Sequence, residues 1–170
     1  AISENIASML RSLERSSSMP TGGGTGKFIW PVTGEITSYY GWRTHPVFGT
    51  TRYHSGMDIA CDYGTPIVAA DSGTVIYSGW MGGYGYAVMI DHGGGLVSLY
   101  GHNQELAVSE GQYVNKGQVI SYAGSTGWST GPHCHFEVRA TASGKGLDPT
   151  AYAAIPNKAG IYGAAPAADK

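Results

Sequence analysis

The sequence predicts a mostly β domain of antiparallel sheets, preceded by one short helix. Three observations predict it. From Phe28 onward, short apolar runs rich in Val, Ile and Tyr alternate with glycine-bearing turns. No stretch in that region keeps a helical period for long. The 170 residues include 27 glycines and 12 tyrosines, a usage that suits tight turns between short strands and a wide, wettable aromatic surface. Such a composition fits an all-β domain that binds a polymer, and the length fits one domain with short extensions.

Taken in order, residues 1–19 form a helical segment. Ile2, Ile6, Met9 and Leu13 recur at spacings of four, three and four, the seam of a helix that packs against a partner. Two readings stay open. The helix lies on the domain that follows, or it is the end of a longer coiled coil whose partner docks along residues 1–15, since so short a helix is marginal alone. Ser16 to Ser18, Pro20 and Gly22 to Gly24 then read as a helix stop and a glycine-rich linker over residues 20–27. The folded domain is expected over residues 28–155. Its strand candidates are Pro66 to Ala70, Gly73 to Ser78, Tyr86 to Asp91, Leu96 to Tyr100 and Val119 to Ala123. Turn signals at Asp71-Ser72-Gly73, Asp91 to Gly94 and Glu110-Gly111 separate them at hairpin spacing. Residues 156–170, rich in Ala, Gly and Pro, are expected to form a flexible tail.

Charge excludes one class of partner. Ten basic against twelve acidic residues give a formal charge of −2, with no basic footprint for nucleic acid. No run approaches the roughly 20 apolar residues a membrane span needs. The first ten residues lack the basic-then-apolar order of a signal peptide, so an export signal is expected upstream or already removed.

The chemistry concentrates in two short strings. His54-Ser-Gly-Met-Asp58 offers an imidazole and a carboxylate four apart, and His133-Cys-His135 offers two imidazoles two apart. Both spacings are even, and side chains on a strand alternate faces with period 2. Each string, if extended, therefore presents its ligand-type groups on one side. Zinc in a catalytic site takes three such ligands and keeps a fourth position for water. Spacing alone does not say which three of the four would bind metal.

Four ordered motifs narrow this: Gly41-Trp42-Arg43; Tyr53-His54-Ser-Gly-Met-Asp58-Ile59; Tyr100-Gly-His102; and Gly131-Pro132-His133-Cys134-His135-Phe136-Glu137. Together they resemble the lysostaphin and LytM type of zinc endopeptidase over about residues 29–152. The resemblance implies antiparallel sheets with long loops forming a groove, one Zn2+ per chain held by His54, Asp58 and His135, and His102 and His133 as the catalytic pair. It implies hydrolysis of peptide cross-links or stems of bacterial peptidoglycan by a metal-activated water, in the cell envelope or outside the cell. Which of His102 and His133 acts as base stays unassigned. Asn103 and Cys134 stand where such proteins often carry Leu, and neither removes a ligand. The alternative within the same resemblance is a catalytically inactive wall-binding or amidase-activating relative. Hairpins around Thr65 to Val75 and Gly111 to Val119 also resemble biotinyl or lipoyl carrier domains, but no lysine occupies a tip between them.

Cys61 lies three residues after Asp58 and Cys134 one before His135. Both offsets are odd, so if the segments converge on one metal the thiols point to the opposite face, either as a disulfide or as two buried free thiols. Arg43, Tyr53 and Trp128 are candidates for the walls of a substrate groove. His92 is expected to be a turn residue and His45 a loop residue.

Overall fold

The structure, a computed structural model, describes residues 2–16, 23–44, 49 and 51–153. The expected tail at 156–170 and His45 lie outside the described residues. One helix, α1 (Ile2–Ser16), is followed by twelve strands: β1 (Ile36–Ser38), β2 (Gly41–Thr44), β3 (Thr51–His54), β4 (Met57–Ala60), β5 (Pro66–Val68), β6 (Gly73–Trp80), β7 (Tyr86–Gly93), β8 (Leu96–Leu106), β9 (Tyr113–Val114), β10 (Val119–Ala123), β11 (His133–Ala140) and β12 (Gly146–Leu147). Single 3-10 turns occupy Gly82–Tyr84 and Pro149–Ala151. The fold is mostly β and antiparallel, as the alternation of apolar runs and glycine turns predicts.

The main sheet runs β1-β4-β11-β8-β7-β6-β9, with β10 bonded to both β8 and β5, and β12 to β11. Strands β2 and β3 form a separate hairpin. Residues paired across strands share a face of the sheet, so the register sorts every side chain. Met57, Ile59, Val88, Ile90, Tyr100, Cys134, Phe136 and Val138 point to one face. There they meet Phe28, Trp30, Val32, Ile67 and Ile120 in the principal core. On the other face His135 stands opposite Gly101, Glu137 opposite Leu99, Arg139 opposite Val97, and Leu99 in turn opposite Met89.

Helix α1 lies on that second face. Ile6 and Leu10 are fully buried against Ile76, Tyr84, Ala87, Met89, Val97 and Leu99, with Met9 partly buried beside them. Burying an Ile or Leu contributes about 1.5–3 kcal/mol at most, so two such anchors hold a short helix that would otherwise be marginal. Of the expected seam, Ile6 and Met9 face the domain. Leu10, absent from that seam, is the residue most completely covered. The contact fixes the helix's address: a Cβ on Gly144 would lie 2.3 Å from the Ala7 carbonyl oxygen, and the Arg11 guanidinium donates to the Ser143 carbonyl at 2.9 Å.

The described half of the glycine-rich linker is docked rather than free. Thr25 N–H and Gly26 N–H donate to the buried Asp71 carboxylate at 2.7 and 3.0 Å, and Gly24 N–H donates to the His92 carbonyl at 2.9 Å. The folded body therefore starts several residues before Phe28.

Candidate metal centre

The His54-to-Asp58 string is not one extended segment. His54 ends β3, Asp58 sits in β4, and the chain turns a corner at Ser55–Gly56 between two sheets. Gly56 fits that corner because a Cβ there would lie 2.4 Å from the Phe136 carbonyl oxygen. The even spacing places both groups at one point through this corner and not through strand alternation. The His133-to-His135 string behaves as expected: both residues are on β11, with His135 directly opposite Asp58 and His133 opposite Ala60.

Asp58 is the hub. One carboxylate oxygen lies 2.8 Å from His135 Nδ1 and 3.6 Å from His133 Nε2, and the other lies 3.4 Å from His54 Nε2. His54, Asp58 and His135 each bring one ligand atom within 4.8 Å of the others. Zinc bonds of about 2.0–2.2 Å to N and O place tetrahedral ligands roughly 3.4 Å apart, so two imidazole nitrogens and a carboxylate oxygen in this arrangement fit a zinc ion.

Carbonyl oxygens accept only, which assigns the tautomers. His54 Nδ1 donates to the Tyr39 carbonyl (3.0 Å), leaving Nε2 for a metal. His135 lies between two carboxylates, with Nε2 on Glu137 (2.7 Å) and Nδ1 on Asp58 (2.8 Å), so the charged ring donates to both and a metal at Nδ1 would replace the proton shared with Asp58. His102 Nδ1 donates to the Thr126 carbonyl (2.7 Å) and His133 Nδ1 to the Gly131 carbonyl (2.9 Å). In the neutral ring each therefore carries its proton on Nδ1 and presents Nε2 as the acceptor. Their rings are 4.7 Å apart, and His102 is 5.8 Å from the His135 ring.

Glu137 completes the site, and its role escaped the reading of the sequence. It is wholly buried and accepts from His135, Ser55 Oγ (2.7 Å) and Tyr84 OH (2.6 Å) through one oxygen and from Arg139 Nε (2.7 Å) through the other. A carboxylate behind a metal-ligating histidine fixes its ring and raises its basicity. The signal was present: His133, His135 and Glu137 share parity on one strand.

The charges of this cluster are interdependent. Burial disfavours a charged His135, but hydrogen bonds to Asp58 and Glu137 and their charges outweigh it and hold its pKa up to about 9. Burial alone would raise the two carboxyls; the His135 hydrogen bond and charge instead hold both below the usual carboxylate range. The space between Asp58 and Glu137 thus favours a cation. His102 is the opposite case, since burial lowers its pKa to about 4 and keeps it neutral near pH 7.

The other expected residues divide. Tyr53, with Tyr40 and Trp42, lines a cavity of about 640 Å³ that also touches Ser55, Arg139, and Ala7 and Arg11 of α1. The Tyr53 hydroxyl donates to that of Tyr40, which donates to the Gly146 carbonyl. The side chain of Arg43 lies outside the described residues. Trp128 is the most exposed large apolar side chain among the described residues; its ring lies against Gly83, in the same loop that gives Thr126 to His102. Cys61 and Cys134 are free thiols, Cys134 buried and Cys61 partly so, both packed with the principal core on the side away from Asp58. His92 is a buried residue of β7 and not a turn residue: Nδ1 donates to the Ser72 carbonyl and Nε2 accepts from Ser98 Oγ.

An antiparallel sheet that gathers this donor set beside two more imidazoles has the make-up of a metallopeptidase. Residues 52–149 match peptidase family M23, and the chain belongs to that family. Among curated relatives, the DD-carboxypeptidase/endopeptidase Mpg of Neisseria meningitidis serogroup B is 44% identical over 118 residues, which cover 69% of this chain and 27% of the relative. The murein hydrolase activator EnvC of Escherichia coli is 40% identical over 114 residues, covering 67% and 26%. The chain thus spans about a quarter of the length of these relatives. Among solved structures, the catalytic domain of lysostaphin from Staphylococcus simulans superposes with a TM-score of 0.61 at 32% identity, covering 69% of this chain and 90% of that one. A zinc-containing peptidase from Vibrio cholerae gives 0.63 at 33%, covering 75% and 39%.

Proposed function

We propose that this domain is a zinc-dependent endopeptidase that hydrolyses peptide cross-links of bacterial peptidoglycan, working in the cell envelope or outside the cell. The observation that carries the reading is the convergence of His54 Nε2, an Asp58 oxygen and His135 Nδ1 on one point, with the Tyr39 carbonyl behind His54 and the Glu137 carboxylate behind His135. Zinc bound there would polarise the scissile carbonyl and acidify a water toward neutral pH.

The protein's own residues supply the rest. Glu137 orients His135, and the Tyr39 carbonyl orients His54. The His102 and His133 rings lie 4.7 Å apart, with His133 Nε2 3.6 Å from an Asp58 oxygen and the His102 ring 5.8 Å from that of His135. One is suited to take up the proton of the attacking water, and the other, once protonated, to stabilise the oxyanion or return a proton to the leaving amine. The exposed rings of Trp42, Tyr53 and Trp128 offer walls for an extended peptide. The relative named a DD-carboxypeptidase/endopeptidase makes D,D peptide bonds the first substrates to try.

Digestion of purified peptidoglycan, followed by mass spectrometry of the muropeptides, tests the proposal. New stem peptides should appear, vanish with a chelator, and return with zinc. A His54→Ala variant should lose both metal and cleavage. The relative named a hydrolase activator favours a second reading, a domain that binds another wall enzyme without cutting. That reading predicts no cleavage by the zinc-loaded protein and unchanged behaviour in the His54→Ala variant.

A further inference from the structure

His102 reaches the metal face only because its strand is bulged. Gly101 stands opposite His135, so in a regular strand His102 would point to the core face. Instead, Tyr86 and Val88 of β7 pair with Asn103 and Tyr100 of β8, two steps on one strand against three on the other. The extra residue falls at Gly101–His102. His102 takes a φ of 64°, the left-handed value of a bulge and the single positive φ among described non-glycine residues. Such a conformation in a non-glycine residue costs on the order of 1–3 kcal/mol and persists only where its surroundings enforce it.

The enforcing groups are side chains of the next residue and of the facing loop. Asn103 is fully buried. Its Nδ2 donates to the carbonyls of Tyr86 and Tyr100, both at 2.9 Å, and so ties the two sides of the bulge together. Its Oδ1 accepts from Ser121 Oγ of β10 at 2.8 Å. Thr126 Oγ1 donates to the Asn103 carbonyl and accepts from Tyr86 N–H at 3.1 Å, while its own carbonyl takes the His102 Nδ1 proton at 2.7 Å. One loop residue thereby fixes both the backbone after His102 and the tautomer of its ring.

We propose that Asn103 and Thr126 form a clasp that positions His102, holding the bulge and the Nδ1–H tautomer so that Nε2 faces the metal site. The role of His102 in hydrolysis rests on the function proposed above; the positioning itself does not. A leucine at 103 would offer no donor to the two carbonyls that Asn103 ties together.

Three variants test the clasp. Thr126→Val keeps the shape and the carbonyl but removes the hydroxyl; Thr126→Ser restores it; Asn103→Leu removes the carbonyl ties. In zinc-loaded protein, Thr126→Val should lower kcat for wall peptide on the order of tenfold to a hundredfold, as misplacement of a reacting group does, with KM and zinc content unchanged. Thr126→Ser should stay within about twofold of the parent on that scale. Nitrogen-15 NMR of the ring should show His102 protonated at Nδ1 in the parent and Thr126→Ser proteins and a mixture of tautomers in Thr126→Val. Asn103→Leu, if it folds, should match Thr126→Val; if it does not, the threonine pair decides. Parent-like kcat and a single tautomer in Thr126→Val would overturn the proposal, as would equal impairment in Thr126→Ser. If the parent cleaves nothing, the hydrolytic reading fails while the NMR comparison still decides the clasp.

Discussion

Strand β11 feeds two buried regions with opposite logic. Cys134, Phe136 and Val138 enter the apolar core, whereas His133, His135, Glu137 and Arg139 form a polar file on the other face. Both sets are largely shielded from solvent. The core face is held by area and volume, where one side chain exchanges for another of similar size at modest cost. The polar face is held by pairing, in which each group is the partner another needs, so removing one leaves a buried charge or ligand without its complement. The difference teaches where chemistry can reside: on the face whose burial makes sense only if every polar atom is satisfied.

The comparison breaks most sharply at its hub. Asp58→Asn should abolish stoichiometric zinc and lower any hydrolytic rate by about a thousandfold or more, because several kcal/mol of transition-state stabilisation would go with the metal. Metal analysis and a rate on defined muropeptides check both, and the fold should persist because Asp58 is only partly buried. Its counterpart across the strand is Phe136, which packs on Trp30 and Tyr100 with ring centroids 5.8 and 5.5 Å away. Phe136→Ala should cost about 3–5 kcal/mol of stability by denaturant unfolding, yet folded protein should still bind one zinc.

Glu137→Gln sharpens the same contrast one step back from the ligands. Zinc affinity should fall on the order of tenfold to a hundredfold, read by competition with a chelator, since the amide presents a weaker acceptor to His135.

Much of this was legible in the chain. Apolar runs between glycine turns marked β5, β6, β7, β8 and β10, the last at its expected bounds of Val119 and Ala123. The pairing of His133 with His135 followed from parity alone. Asp58 and His54 were legible as a pair but for a different reason, since the corner at Ser55–Gly56 depends on Gly56 closing against a carbonyl of a strand eighty residues away. The reach of His102 was hidden for the same kind of cause. A bulge is a mismatch between two strands, and its clasp joins residues 86, 103, 121 and 126, none of which is marked locally. Helix α1 showed its apolar spacing, but the choice between its own sheet and a foreign helix is a competition of surfaces that one strand of text does not contain.

The smallest effect compares two histidines, one for each face. His135 is held in its charged form by two carboxylates, whereas His92, stacked 4.9 Å from Phe28 among core residues, is held below the ordinary imidazole value, chiefly by burial. Its hydrogen bonds are already spent on the neutral ring: Nδ1–H to the Ser72 carbonyl and Nε2 to Ser98 Oγ, whose hydroxyl chain runs on through Tyr100 to the Ala70 amide. Below the unfolded value of about 6.5 the unfolded chain takes up a proton that folded His92 refuses, so stability is full above that pH and declines as pH falls beneath it. Thermal unfolding of the parent between pH 7.5 and 5 should show that decline, and His92→Gln should reduce its slope even if its overall stability is lower. The remaining slope is the balance of His102, which burial also keeps neutral down to about pH 4, and His135, whose raised pKa of about 9 adds stability as pH falls and so opposes the decline. Identical slopes in the two proteins would mean that the core-face imidazole accepts its proton as readily as an exposed one, and the contrast between the faces would be one of composition alone.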